Sequence, residues 1–303
     1  MCRFIAYHGE PILLEALVSL PSHSLVRQST HAQQAPTPAN ADGFGLGWYG
    51  PGQNPETYHS EKPARLDRDL PSICERVRAG HFFAHVRAAT GTDVMSANCH
   101  PFTSGKWMFM HNGQIGGWPG IRDRVEATLS PELKGSRRGT TDSEAIFLSA
   151  IGDGLERDPV SAFGLTISRI ETIRKAAGSP IPFRFAAAVS NGESLWAFRW
   201  ASDGIPPTLY RRRLGGITVA SEPTDQGATA WDEVPAGSCT IIDANQRVRS
   251  VSFQVSGHGT GITRVRGRSP VAPSSPSRSA RLPRDGFPAR RKASSGCLDL
   301  QPC

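Results

Sequence analysis

The chain has 303 residues, of which 38% are hydrophobic, a length and composition that suit a folded protein with a sizeable core. No stretch approaches the roughly 20 consecutive apolar residues of a membrane helix. The N-terminus meets Pro11 and two glutamates before any long apolar run, unlike a signal peptide. We therefore expect a cytoplasmic protein that does not bind membranes.

The formal net charge of +7 is concentrated at the C-terminus. Residues 257–303 contain nine basic and two acidic residues, whereas residues 1–256 contain 25 of each. The C-terminal segment is rich in Ser, Pro and Arg and has no apolar period, so it cannot bury enough surface to offset its chain entropy. We predict a folded domain over residues 2–256 and a disordered basic tail over residues 257–303. Nucleic-acid binding is not expected apart from this tail.

Strand and helix patterns follow one another along the folded part. In chain order they are a strand at 3–7, a helix at 11–20, a glycine-rich strand at 43–50, strands at 81–90 and 106–113, helices at 141–155 and 158–178, and five β runs between 183 and 255. Residues 29–40 and 120–139 are predicted to be loops. Strands early and late with a helical pair between them favour two β-sheets with helices over a Rossmann βαβ series.

Cys2 is the first candidate for a chemical role. If Met1 is removed, the thiol and the free α-amine belong to the same residue. The ordinary pKa values, about 8.5 for a thiol and about 7.7–8.0 for an α-amine, allow the amine to take the thiol proton near neutral pH. The thiolate can then attack an amide carbon. The alternative is that Cys2 is only a small buried apolar residue.

Two further segments carry groups suited to a polar substrate. Arg87, in "AHVRAAT", is predicted to end a strand, where its planar guanidinium can grip a carboxylate or pair with a structural acid. The segment "HNG", which follows an apolar strand, predicts a tight turn in which the Asn112 side-chain amide and the Gly113 backbone N–H point the same way and would suit an oxyanion hole. The alternative for this pair is an ordinary Asn-Gly turn.

The segment "TTDSE" predicts a helix start. Thr141 with Glu144 can form a capping box, or Asp142 alone can cap the helix. If the Asp142 carboxylate instead faces a pocket, it can hold a substrate ammonium.

The cysteines do not suggest a metal site or a disulfide framework. The six are scattered, without a CxxC pair: Cys2, Cys74, Cys99, Cys239, Cys297 and Cys303. None of the His and Cys spacings resembles a metal site, and we expect no metal and no other cofactor.

Taken together, these motifs resemble one family closely. Met-Cys at the start, "NADGFGLGWY", "HVRAAT", "NCHPF", "HNG" and "TDSE" follow the order and approximate spacing of class II glutamine amidotransferase domains, which are N-terminal-nucleophile hydrolases. The resemblance covers about residues 2–255. It is strongest to the stand-alone amidohydrolase-like branch, such as the ergothioneine-pathway and glutathione-degrading members. The family fold implies an α+β chain in a four-layer αββα sandwich of two antiparallel sheets.

The resemblance also implies roles for individual residues. Cys2 would be the nucleophile, with its amine as the base, and Asn112 and Gly113 the oxyanion hole. Arg87 would bind the α-carboxylate of a glutamyl group, and Asp142 its α-ammonium. The supporting positions implied in the same way are Gly43, which lets the backbone approach the nucleophile, Asp42, which shapes the same loop, and His100 and Pro101, which support the turn beneath the site. Val86 and Phe44 depart from the commoner Thr and Trp, which we interpret as packing changes.

Three functions remain open at this point. The first is a thiol amidohydrolase that cleaves the γ-amide of glutamine or of a γ-glutamyl compound. The second is a glutaminase subunit that passes ammonia to a separate synthase partner. The third is a non-catalytic binding module whose basic tail contacts nucleic acid. The presence of every family motif favours the first.

Overall fold

The fold is that of a computed structural model, which describes residues 2–36, 38–89, 91, 93–225, 230–253 and 255. The predicted tail, residues 257–303, lies outside the described residues, as does Met1. The boundary between a domain and a tail at residue 256 therefore stays a prediction.

Thirteen strands and seven α-helices make up the described part of the chain. The strands are β1 Arg3–Leu13, β2 Phe44–Trp48, β3 Glu56–Ser60, β4 Arg78–Val86, β5 Phe102–Ser104, β6 Trp107–Gln114, β7 Arg184–Ser190, β8 Leu195–Ala201, β9 Tyr210–Arg213, β10 Gly216–Ala220, β11 Asp232–Glu233, β12 Ser238–Ile242 and β13 Val248–Ser252. The helices are α1 Glu15–Val18, α2 Leu25–His31, α3 Asp69–Arg76, α4 Trp118–Glu126, α5 Pro131–Ser136, α6 Asp142–Gly152 and α7 Pro159–Ala176. Short 3-10 turns occur at Ala64–Leu66 and Ser96–Asn98.

The strands form two sheets in which every pairing is antiparallel. The first has seven strands in the order β11-β9-β10-β1-β4-β2-β3, and the second has six in the order β13-β12-β8-β7-β6-β5. Since β1 is flanked by β4 and β10, the N-terminal end of the chain lies in the interior of its sheet rather than at an edge. This places Cys2 next to the centre of the fold.

Alternation of side chains along the strands produces three apolar layers. Phe4 and Ala6 of β1 join Met108 and Met110 of β6 in a cluster between the sheets. The opposite face of the first sheet packs on α1, α2 and α3. The opposite face of the second sheet packs on α4, α6 and α7. The four-layer αββα sandwich that the family resemblance implied is confirmed.

Three local expectations were wrong. The predicted helix at 11–20 starts later, because after a bulge β1 continues to Leu13 by pairing with Arg78 of β4. Residues 120–139 are not a plain loop, since they contain most of α4 and all of α5. Asn112 and Gly113 do not form a tight turn, because β6 continues through them, paired with residues 186 and 185 of β7.

Among the described residues, none of the helices has both the length and the apolar character needed to cross a bilayer.

Candidate active site

One pocket of about 200 Å³ brings together most of the residues that the motifs predicted. Cys2, Arg87, Gly113, Asp142 and His100 all line it. The other lining residues are Ala88, Ala89, His111, Gln114, Ile115, Gly117, Trp118, Pro119, Thr141, Ser143 and Ile181. The pocket is smaller than the several hundred Å³ typical of sites for drug-sized ligands, so it suits a compact polar group.

Cys2 presents its thiol to this pocket from the position just before β1. The Sγ atom lies 3.4 Å from the backbone nitrogen of Ala88, which donates to it, and 3.6 Å from the Ala88 carbonyl oxygen. Burial raises the pKa of the Cys2 thiol, against the opposing effects of the Ala88 N–H and the positive charges of Arg87 and Arg3. The resting thiol is therefore protonated at neutral pH and needs a base before it can attack.

Arg87 is held at the end of β4 by the backbone of the neighbouring loop. Its N–H donates to the Gly43 carbonyl at 2.8 Å, and its carbonyl accepts from the Asp42 N–H at 3.0 Å. The guanidinium is buried, with Nη1 donating to the carbonyl of Asp42 at 3.2 Å and Nη2 to that of Asp93 at 3.0 Å. These carbonyls fix the orientation of the guanidinium at the edge of the pocket.

Asp42 and Gly43 shape the loop beside Arg87 and do not line the pocket. The Asp42 carboxylate accepts from the Ala89 N–H at 2.8 Å, which fixes the chain after Arg87. Gly43 has φ +104°, and a β carbon there would lie 2.7 Å from the Cys99 sulfur. The absence of a side chain is thus explained by packing against Cys99 and by a positive φ, rather than by approach to the nucleophile.

Asn112 and Gly113 occupy adjacent positions in β6. Gly113 lines the pocket, and its Cα packs so tightly against the Arg184 carbonyl of β7 that no β carbon fits. The Asn112 side chain is completely buried on the face of β6 that points between the sheets, and its two polar atoms have no hydrogen-bond partner. Continuing the alternation of β1 places Cys2 toward the same inter-sheet space. Such an unpaired buried amide costs free energy unless a ligand or water satisfies it.

Asp142 begins helix α6 and faces the pocket. Its Oδ2 accepts from the backbone N–H of Ile115 at 2.7 Å. The cap of α6 is Thr141, whose Oγ1 accepts from the Glu144 N–H at 3.2 Å. The capping box is only half formed, because the Glu144 carboxylate accepts instead from the backbone N–H groups of residues 138 and 139. With Thr141 as the cap, the Asp142 carboxylate is left directed toward the pocket.

His100 and Pro101 have different surroundings. Pro101 supports the adjoining loop through its carbonyl, which pairs with His59 Nε2 at 3.1 Å. His100 is buried, its ring lies 4.1 Å from that of His85, and neither of its ring nitrogens has a hydrogen-bond partner. Burial holds the pKa of His100 well below its ordinary value, so this imidazole lines the pocket as a neutral group.

His111 and Ser143 line the pocket and pair with each other, although neither was singled out from the sequence as a site residue. His111 Nε2 pairs with the Arg184 carbonyl at 3.1 Å, and its Nδ1 lies 2.9 Å from the Ser143 hydroxyl. Because a carbonyl can only accept, Nε2 carries the proton. The Ser143 hydroxyl, which has a single proton, lies between His111 Nδ1 and Asp142 Oδ1, the latter at 3.3 Å. Burial lowers the pKa of His111, in keeping with a neutral ring. The signal was present in "HNG" and "TDSE", where each residue adjoins a predicted site position.

The described residues contain no cluster of three or more His, Cys, Asp or Glu side chains that could hold a metal ion. Cys74, Cys99 and Cys239 are buried free thiols, which leaves Cys2 as the thiol among the described residues that reaches this pocket. The arrangement therefore brings a thiol, a guanidinium and a carboxylate into one small volume.

The fold and this site define a class of enzyme. The family model for class II glutamine amidotransferases matches residues 16–206, a stretch that includes Arg87, Asn112, Gly113 and Asp142. The chain belongs to the class II glutamine amidotransferase family and is an enzyme of that family.

Within this family, the chain is similar to two named proteins and to one solved structure. The chain is 35% identical to the probable glutamine amidotransferase DUG3 of Saccharomyces cerevisiae, over 80% of this chain and 82% of that protein. It is 29% identical to the gamma-glutamyl-hercynylcysteine sulfoxide hydrolase of Mycolicibacterium smegmatis, over 78% and 92%. The solved glutamine aminotransferase class II domain protein from Silicibacter pomeroyi superposes with a TM-score of 0.68 at 34% identity, over 83% of this chain and 99% of that one. These relatives confirm the resemblance to the stand-alone amidohydrolase-like branch.

Proposed function

We propose that the protein is a thiol amidohydrolase that cleaves the γ-amide of glutamine or of a γ-glutamyl compound through a thioester on Cys2. The observation that carries the proposal is the meeting of Cys2, Arg87, Gly113 and Asp142 in one pocket of about 200 Å³. The products are glutamate and either ammonia or an amine.

Recognition of the glutamyl group follows from charge. The group carries one carboxylate and one ammonium on its α-carbon, and it therefore needs a cation and an anion at a set separation. Arg87 and Asp142 supply these charges from the end of β4 and the start of α6. Both are held by backbone hydrogen bonds, so the α-carbon is positioned and the γ-amide falls at a set distance from it.

The first half of the reaction forms the thioester. After removal of Met1, the free amine of Cys2 takes the thiol proton, and Sγ attacks the γ-carbonyl carbon. The negative charge on oxygen is stabilised by the Gly113 N–H and by the Asn112 amide, which has no other hydrogen-bond partner. The C–N bond then breaks, and the leaving nitrogen takes the proton from the ammonium of Cys2.

The second half regenerates the enzyme. Water gives a proton to the Cys2 amine as it attacks the thioester carbon, and the same donors stabilise the second oxyanion. The C–S bond breaks, glutamate leaves, and the thiolate recovers its proton from the ammonium. The raised pKa of the resting thiol favours this return and explains why the reaction needs a base.

Labelling with 6-diazo-5-oxo-norleucine, an electrophilic glutamine analogue, tests the site. Intact-protein mass spectrometry should show a chain without Met1 and one adduct, which peptide mapping should place on Cys2. Cys2→Ala should give no adduct. Retention of Met1 without any adduct in the preparation would contradict the mechanism.

A panel of γ-glutamyl amides then tests the reaction on the isolated protein. Release of glutamate by the wild type and its loss in Cys2→Ala are expected. Cys239→Ala, which removes a buried thiol outside the pocket lining, is the matched control and should keep the wild-type rate. Equal rates for Cys2→Ala and the wild type would rule out a Cys2 thioester.

A further inference from the structure

A buried ion pair lies directly behind the nucleophile. The Arg3 side chain has no exposed surface, and its Nε donates to the carbonyl oxygen of Cys2 at 2.6 Å. Its Nη1 donates to Glu222 Oε1 at 3.0 Å, and the Glu222 side chain is 1% exposed. The two residues are separated by 219 positions in the chain, so the contact depends entirely on the pairing of β1 with β10.

Glu222 collects donors from three parts of the chain. In addition to Arg3, its carboxylate accepts from His23 Nε2 at 2.9 Å, from the Gln33 N–H at 2.9 Å and from the Gln34 N–H at 3.0 Å. A carboxylate with four donors is satisfied and held rigidly. It fixes the guanidinium of Arg3 in one orientation, with Nε toward Cys2.

The order of the charges matters for the nucleophile. Arg3 contacts the Cys2 backbone, whereas Glu222 contacts the far end of the same guanidinium. The positive charge is therefore nearer to the thiol than the negative charge, and the pair presents its positive end to Cys2. A nearby positive charge favours a thiolate over a thiol.

We propose that Arg3, oriented by Glu222, is a positioning residue that holds Cys2 by its carbonyl and keeps a cation beside the thiolate. The inference rests on the proposed function, because it concerns the nucleophile of that reaction. The test measures the reactivity of Cys2 and needs no hydrolysis of a substrate. Its result is therefore independent of the hydrolase assignment.

The measurement is the rate at which iodoacetamide alkylates Cys2 as a function of pH, with the adduct located by peptide mass spectrometry. The other titratable or charged groups near Cys2 and Arg3 include the chain's own α-amino group and seven side chains: Arg87, Cys99, His23, His85, His100, His111 and Asp142. They are the same in every variant, so a difference between variants reports on the pair. Mapping separates Cys2 from the other thiols.

Two variants should change the alkylation rate of Cys2 at pH 7 in opposite directions. In Arg3→Met/Glu222→Gln both charges are gone, and alkylation at pH 7 should slow by about tenfold, the effect of about one unit in thiol pKa. In Glu222→Gln the charge of Arg3 is no longer offset, and alkylation at pH 7 should become faster than in the wild type. Exposure of the buried thiol would also speed alkylation, so each profile is read for both its midpoint and its high-pH plateau. The proposal expects the midpoint of Glu222→Gln to move to lower pH with an unchanged plateau, whereas exposure of Cys2 raises the plateau.

Conservative and control variants complete the test. Arg3→Lys keeps a cation and should alkylate faster than Arg3→Met/Glu222→Gln. The control is Ser221→Ala. It removes an uncharged contact to β1, the hydroxyl that accepts from the Phe4 N–H at 3.1 Å, and should leave the pH profile of alkylation unchanged.

Wild-type profiles in both charge variants would overturn the proposal. If the double variant does not fold, Glu222→Gln decides alone, because a midpoint at lower pH with an unchanged plateau supports the proposal and any other profile refutes it. If the variants change the alkylation of Cys2 as expected but the wild type hydrolyses no γ-glutamyl amide, the proposed function is refuted and this inference stands.

Discussion

The carboxylate of Asp142 accepts a 2.7 Å hydrogen bond from the backbone N–H of Ile115. The bond joins the first turn of α6 to the residue that follows β6, the strand that carries Gly113. Asp142 therefore has two roles that substitution can separate. One carboxylate oxygen is tied to the fold, and the negative charge faces the pocket.

Asp142→Asn should separate those roles. An asparagine oxygen can still accept from Ile115, so we expect the melting temperature to change little. The loss of the charge removes the partner of the substrate ammonium, and KM for a γ-glutamyl amide should rise roughly ten- to a hundredfold. Asp142→Ala is the comparison, because it should raise KM and also lower the melting temperature. An unchanged KM in Asp142→Asn would exclude the ammonium-binding role.

Gly113→Ala should damage both the fold and the reaction. A β carbon at this position collides with the Arg184 carbonyl, so β6 and β7 must move apart, at a cost of about 1–3 kcal/mol. The movement displaces the Gly113 N–H from the oxyanion. Because complete loss of one oxyanion donor lowers kcat by about 10²–10³, a displaced donor should lower kcat by at least about tenfold. Urea unfolding and steady-state kinetics check the prediction.

Gly120→Ala is the matched control for that substitution. Gly120 is helical, and a β carbon added to it would have no other atom within 4 Å. The substitution should stabilise the protein by roughly 0.5–1 kcal/mol and leave kcat unchanged. A similar loss of kcat in both glycine variants would argue against a specific role for the Gly113 N–H.

Thr141→Ala removes the cap of α6 and should cost about 1 kcal/mol of unfolding free energy. Ser130→Ala removes the equivalent cap of α5, a helix without pocket residues, and should cost a similar amount. Because Thr141 adjoins Asp142, only Thr141→Ala should also raise KM. Equal effects of both variants on KM would show that the α6 cap does not position Asp142.

Acid should destabilise the protein through its buried histidines. Burial, aided by neighbouring His8, lowers the pKa of His81 to about 3, against an unfolded value of about 6.5. Between these pH values the unfolded chain binds more protons at His81 than the folded protein does. The contribution of His81 to the free energy of unfolding is therefore complete above pH 6.5 and decreases as the pH falls toward 3. Each such histidine contributes a slope of about 1.4 kcal/mol per pH unit.

His81→Asn isolates one of these contributions. The asparagine amide can replace Nδ1 as the donor to the Gly192 carbonyl, a bond of 2.6 Å in the native protein. We expect the slope of unfolding free energy between pH 5 and 4 to decrease by about 1.4 kcal/mol per pH unit, with hydrolysis at pH 7 unchanged. Urea titrations at several pH values measure it, and an unaltered slope would mean that His81 is protonated in the folded protein.

Prediction from the sequence worked where local pattern decides the structure. The helices from Asp142 and Pro159 begin within a residue of expectation, because each has a side-chain cap and apolar residues at helical spacing. It failed at "HNG", where the Asn-Gly pair predicts a turn. Pairing of Asn112 and Gly113 with β7, over 70 residues later, keeps the strand extended. Local turn preference is weaker than a full ladder of backbone hydrogen bonds.

By itself, the sequence determined the candidate nucleophile, the candidate charged pair for a glutamyl group and the family, because these depend on residue type and order. Only the tertiary structure decided how they are held. The guanidinium of Arg3 reaches Glu222, the Asp142 carboxylate reaches Ile115, and Gly113 meets the Arg184 carbonyl. Each contact joins segments whose approach is set by strand register and layer packing. Register depends on the pairing of whole strands, which no short motif encodes.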